Sequence, residues 1–361
     1  MTAYVASLED AVSRIRAHVD GALHVGAPLG IGKPHRLLNA LYDAAVADAA
    51  RPMTLYTALS LDPPTGGTDL EGRFIGPFAQ RHFGEDFVRL KYVDAMRRDA
   101  LPAHIAVEEF YMQSGAMLGS RQAQRRYASL NYTHVARALA DRGVNVLVQK
   151  VAANEDGTRF SLSSNTDLTF DTIDALAAAG HARPLVIGEV DPELPWLGGA
   201  AAVDAAFFDV LVVPPPPYPK LFGLPRQPVS DADYAIGFYA SALVRDGGTL
   251  QIGIGALADA MCHALALRHT DNAAYRRVLH ALDPDIATHP AVVASGGLDP
   301  FAIGLYGCSE MINEGFKRLV EVGVIRRKVV DKAALMRRAN AGTTSALDDE
   351  LIERDGEFLH G

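Results

Sequence analysis

TLQIGIGALADAM, residues 249–261, begins as a strand and continues as a helix, with Gly253-Ile254-Gly255 at the junction. The apolar run before the glycines is short, and the pattern after them has helical spacing through MCHALALRH. The same order occurs near the start of the chain. APLGIGKPHRLLNALYDAA, residues 27–45, carries Gly30 and Gly32 between an apolar run and a helical one. A strand, a glycine turn and a helix make one unit of a parallel sheet. Working outward, ALHVGAPLG, MTLYTALSL, NVLVQKVA, PLVIGEVD, FDVLVVP, AVVAS and FAIGLYG read as buried strands. LNALYDAAVADAA, YTHVARALADRG, FDTIDALAAAG, DYAIGFYASALVRDG and EGFKRLVEVG read as helices, several with glycine just after them. The expected class is α/β: two related Rossmann-like domains with mostly parallel sheets, the second incomplete.

A proline cluster sets the expected boundary. Seven prolines between residues 214 and 228 cannot run through a helix or a central strand. The division is therefore residues 1–213, a proline-rich linker at 214–228, and residues 229–361. A long loop within one domain is the other reading of the same prolines. The last stretch, DDELIERDGEFLHG, reads like the approach to a further strand.

The chain has 361 residues, enough for about two domains. Apolar residues make up 49% and the formal net charge is −9, which fits a soluble protein and gives no support to nucleic-acid binding. Two distant cysteines, Cys262 and Cys308, suggest a reducing compartment. No run of about 18 apolar residues is present, and the first twenty residues lack the apolar core of a signal peptide. A cytoplasmic protein without membrane partners is expected. The 12 histidines are scattered, with no H-E-x-x-H and no C-x-x-C, so no metal site is expected. A G-x-S-x-G elbow is absent too.

The two glycine turns are either plain tight turns or places where backbone N–H groups meet a phosphate-bearing ligand. Neither completes a dinucleotide fingerprint, and Lys33 lacks the surrounding phosphate-loop pattern. A third feature is Glu310, in GCSEMINEG at residues 307–315. It lies between an apolar run and a helical stretch. From position alone it is either an acid favoured by a helix N-terminus or an oriented carboxylate nucleophile.

Taken together, LQIGIGALADAM and GLYGCSEMINEGFKRLVEVGVI resemble the acetyl-CoA hydrolase/transferase family, the acyl-CoA:carboxylate CoA-transferases. The resemblance extends to PLGIGKPHRLLNAL, GTRFSLSSNTD, VIGEVDPELPWLGG and VSDADYAIGFYASALVRDGGT. It implies Glu310 as the nucleophile, acting through a glutamyl-CoA thioester, with water instead of a second carboxylate giving a hydrolase. It also implies Gln251, Gly253, Gly255, Gly30 and Gly32 near coenzyme A, with Ser60 close by. Coenzyme A would be a substrate, with no permanently bound cofactor. The partners implied are acyl-CoA and a small carboxylate, in a homo-oligomer or with a partner chain. Members usually carry a further G-x-G-G-type segment after the glutamate, and this chain has none. Tyr306 and Cys308 also depart from the common pattern. The competing reading is a truncated, non-catalytic or partner-dependent CoA-binding member. Cys308 is read as a structural thiol rather than a reactive one.

Overall fold

The structure, a computed structural model, describes residues 2–166, 168–309, 311–329 and 333–340. Internal packing divides the chain into two units, Met1–Leu224 and Pro225–Gly361.

In the first unit the elements run β1 (Ala3–Val5), α1 (Leu8–His18), β2 (Leu23–Gly26), α2 (His35–Val46), β3 (Met53–Thr57), α3 (Asp69–Phe83), α4 (Lys91–Arg97) and β4 (Ile105–Glu109). They continue with α5 (Arg121–Arg126), α6 (Val135–Asp141), β5 (Val146–Ala153), β6 (Arg159–Ser161), α7 (Thr169–Ala178), β7 (Leu185–Val190), β8 (Ala202–Asp204) and β9 (Val210–Val212). Seven strands form a parallel path in the order β1-β9-β7-β5-β2-β3-β4, and β6 and β8 add a short antiparallel annex to β5. The parallel strands are apolar on both faces because both faces are covered. Along β5, Val146 and Val148 join the core beneath α1, α2 and α4. Leu147 and Val151 join the opposite core, against which Leu139 of α6 and Phe170 and Ile173 of α7 pack.

The order of strands locates a crevice. From β2 the chain proceeds outward through β3 and β4; from β5 it proceeds the other way through β7 and β9. The direction of winding therefore changes between β2 and β5. Open α/β sheets bind ligands at the carboxyl ends of the strands at such a point. The turn Gly30–Gly32 follows β2 at that edge.

The second unit contains α8 (Asp231–Ala242), β10 (Thr249–Ile252), α9 (Ala256–Thr270), α10 (Asn272–Leu282), α11 (Pro290–Ser295), β11 (Tyr306–Ser309), α12 (Glu314–Glu321) and α13 (Ala333–Asn340). Among the described residues its sheet has two strands, β10 and β11, paired in parallel. Ser230 starts α8 with a reciprocal cap to Asp233, the pattern that sets a helix boundary in sequence.

Three expectations need correction. AVVAS is helix α11, not a strand; Pro290 sits in its first turn and the His289 ring accepts from the Ala291 N–H. Helix initiation outweighs the two valines, of which only Val292 is buried. ALHVGAPLG is strand only as far as Gly26, and FAIGLYG is strand only from Tyr306. The proline-rich stretch also packs on the first unit. Arg36 donates to the Pro215 and Pro217 carbonyls, and the Phe222 ring lies 4.7 Å from that of Phe83. The final stretch DDELIERDGEFLHG lies outside the described residues.

Candidate functional site

At the carboxyl ends of β2, β3 and β4 the first unit gathers Gly30, Gly32 and Ser60. Gly30 has φ +62°, a left-handed conformation that glycine adopts without strain. Gly32 is glycine for a different reason. A Cβ there would lie 1.9 Å from Oδ1 of Asn165, which follows β6. The turn is thus clamped against another segment of the chain.

Ser60 follows Leu59, a non-glycine residue with φ +39°. That conformation costs on the order of 1 kcal/mol and must be held by its surroundings. The Leu59 N–H donates to the Tyr111 carbonyl at 2.7 Å, and its own carbonyl accepts from Gly30. The Ser60 hydroxyl is fully engaged: Lys33 Nζ lies at 2.8 Å, the Tyr92 hydroxyl at 2.7 Å, and Ser60 donates to Glu109. Lys33 is fully buried and also donates to the Ala58 carbonyl at 2.9 Å and toward Tyr92 at 3.4 Å. Its three protons are spent inside the protein, so it is no phosphate-binding lysine. Burial pushes its pKa down to about 8, against the opposing charge of Glu109. The same burial raises the Glu109 carboxyl, partly offset by Lys33.

A charged hollow opens on the α2 side of the turn, lined by Gly30, Lys33, Arg36, Lys150, Glu189 and Asp191 among others. Glu189 is fully desolvated. It accepts from the Leu37 N–H at 3.0 Å and faces Arg36 at 3.7 Å; burial raises its pKa despite the nearby Lys150. Lys150 pairs with Asp191 at 2.6 Å. His35 donates to the Val88 carbonyl at 2.7 Å, and burial pushes it down to about 3. On the other side of the turn lies a larger apolar hollow beneath α6 and α7.

In the second unit, Gly253 and Gly255 are exposed, and a Cβ at either would meet nothing within 4 Å. Gly255 has φ +120° and caps α9 without any side-chain bond, which leaves first-turn N–H groups open. Gln251 is exposed on β10. Its partner in register is Cys308, and Ile252 stands opposite Ser309. The Asn313 amide lies 3.5 Å from the Gly253 carbonyl. Glu310 itself lies outside the described residues. Cys262 is buried, and its thiol is pushed up to about 11; such a thiol is a poor nucleophile. Cys308 is half-buried, with Sγ 3.8 Å from the Leu250 carbonyl.

The sequence-predicted residues therefore form two groups, one in each unit: Gly30, Gly32 and Ser60; and Gln251, Gly253 and Gly255. Sequence reasoning missed Asn165, Glu109, Lys150 and Glu189. Their signal was available. Each charged residue interrupts or ends a strand that otherwise reads as wholly apolar, and such groups are buried only with partners.

No protein-family model matches the chain. Over 150 residues, 42% of the chain, it is 29% identical to 4-hydroxybutyrate coenzyme A transferase of Clostridium kluyveri, in a match spanning 26% of that protein. Over 177 residues, 48% of the chain, it is 29% identical to succinyl-CoA:cyclohexane-1-carboxylate CoA transferase of Geobacter metallireducens, spanning 37% of that protein. Among solved structures, RipA from Yersinia pestis superposes with a TM-score of 0.57 at 20% identity, covering 89% of this chain and 59% of RipA. The matches thus take in well under two thirds of each relative. In sequence the chain is similar to CoA transferases over just under half its length, and in fold it is an α/β protein like RipA.

Proposed function

We propose that the protein is an acyl-CoA:carboxylate CoA-transferase with Glu310 as its nucleophile. The observation that carries this reading is the register of β10 and β11. Ile252, the residue before the open glycine turn, stands opposite Ser309, the residue before Glu310. A carboxylate there and open backbone donors leave the same edge of one parallel pair. That is the equipment acyl transfer requires: a nucleophile, and N–H groups for the oxyanion. The similarity to two CoA transferases supports the same reaction class.

In the proposed reaction the Glu310 carboxylate attacks the thioester carbonyl, and the carbon–sulfur bond breaks to release CoA thiolate. The product is a mixed anhydride. The thiolate then attacks the glutamyl carbonyl, which frees the first carboxylate and leaves CoA on Glu310 as a thioester. An acceptor carboxylate attacks that thioester, forming a second anhydride and thiolate. Attack of the thiolate on the acyl carbonyl yields the new acyl-CoA and restores Glu310. Water in place of the acceptor would give hydrolysis. Gln251, Gly253 and Gly255 serve coenzyme A in this scheme, and Gly30, Gly32 and Ser60 shape the first unit's part of the site. Coenzyme A is carried as substrate. The test is CoA transfer from acetyl-CoA to a panel of carboxylates by the wild-type chain and by Glu310→Gln. Transfer lost in the variant, with its thermal stability retained, is the expected result. Equal rates in the two proteins would reject the assignment.

A further inference from the structure

The apolar hollow beneath α6 and α7 has no role in the scheme above. It lies at the carboxyl ends of β2, β3 and β5, on the far side of the Gly30–Gly32 turn from the charged hollow. With its open mouth it measures about 720 Å³, within the usual range of small-ligand sites. Tyr56, Phe110, Val135, Leu139 and Leu147 supply much of its wall.

Its polar groups are mostly answered from within. Gln149 donates to the Leu162 and Asn165 carbonyls and accepts from Thr169. Thr57 donates to the Pro28 carbonyl. Of the lining residues only Glu108 and Arg142 are charged, and they bond to each other at 2.7 Å. The exception is Asn165. It is 5% exposed, and its Oδ1 has no hydrogen-bond partner among the described residues. A half-turn about its last torsion exchanges oxygen for nitrogen, so the same amide can accept or donate. A buried polar atom left without a partner points to a group that arrives from outside.

We propose that this hollow binds the uncharged hydrocarbon portion of a medium-length or alicyclic carboxylic acid, with the Asn165 amide meeting the carboxyl or thioester oxygen. The proposal rests on the transferase reading and specifies its substrate class. The apolar wall favours carbon chains well beyond acetate. The neutralised Arg142 gives a second carboxylate no counter-charge, so dicarboxylates are excluded. Leu139 is half-buried on α6 and grades the depth. Asn165 acts at the polar end and is indifferent to chain length.

The experiment uses the full chain with acetate, butyrate, octanoate and succinate. Affinity is read by calorimetry, and CoA transfer from acetyl-CoA to each acid is read as kcat/KM. Each buried methylene contributes about fourfold in affinity, so octanoate should bind at least roughly tenfold tighter than butyrate even with partial burial. Succinate should bind no better than acetate. Leu139→Phe should cut octanoate binding at least roughly tenfold while sparing acetate, and Leu139→Ala should favour longer acids. Asn165→Leu should weaken all the monocarboxylates alike. Octanoate binding no tighter than butyrate or succinate, or binding unmoved by both Leu139 variants in folded protein, would overturn the proposal. Octanoate binding with this pattern, but no CoA transfer to any acid, would instead reject the transferase reading and leave the hollow as a fatty-acid site.

Discussion

The two Gly-Ile-Gly turns have the same sequence and opposite physical reasons. At 30–32 the glycines are buried, and Gly32 lies so close to Asn165 that any side chain would overlap it. At 253–255 they are exposed, and space around them is open. The first turn is glycine because the protein presses on it. The second is glycine at 255 because the backbone there takes φ +120°, and at 253 nothing in the structure itself demands it. A glycine that the fold does not require is the better candidate for contact with a ligand. The first turn organises its unit, and the second offers its backbone.

The largest expected effect tests how dry the first turn's surroundings are. His35 is held neutral, with its pKa down to about 3, whereas an unfolded histidine titrates near 6.5. Between those values the unfolded chain binds a proton that the folded chain does not. The stability is therefore complete above about pH 6.5 and falls as pH drops toward 3, by up to about 4 kcal/mol. Urea titrations from pH 7 to pH 4 should show it, and His35→Gln, which keeps a donor for the Val88 carbonyl, should flatten the profile. Lys33 acts in the same sense at the alkaline end. Its contribution rises as pH climbs from about 8 toward the unfolded value near 10.5.

Next is Gly32→Ala. The new Cβ must displace Asn165, and overpacking of this kind costs about 1–3 kcal/mol. Chemical denaturation should show a lower midpoint. An unchanged midpoint would mean the clamp yields freely. Gly30→Ala should cost about 1 kcal/mol, the price of placing a Cβ in the left-handed region, since space there is otherwise open. Smallest is Gly253→Ala, expected within about 0.5 kcal/mol of wild type. Its effect should appear in CoA affinity instead. A Gly253→Ala protein that is strongly destabilised would break the contrast between the turns.

Much of the architecture was legible because its signals are local. Short apolar runs such as NVLVQKVA and the helical spacing after Gly255 marked β5 and α9 without any knowledge of their partners. The failures were those where a neighbour decides. AVVAS has strand composition, yet Pro290 and the His289 cap begin a helix. The network of Lys33, Ser60, Tyr92 and Glu109 joins four segments and has no spacing to reveal it. Asn165 was within a quoted motif, but its contact with Gly32 exists only in three dimensions. The glycine turns were legible as turns; which one the fold clamps was not.

The central claim is that Glu310 carries CoA during turnover. The direct measurement is to mix the protein with acyl-CoA, quench with borohydride or hydroxylamine, digest, and map the modified peptide by mass. The account predicts modification of Glu310, the acid beside the open turn, in wild type and none in Glu310→Gln. An unmodified Glu310 in folded protein that binds CoA and turns over acyl-CoA would contradict it.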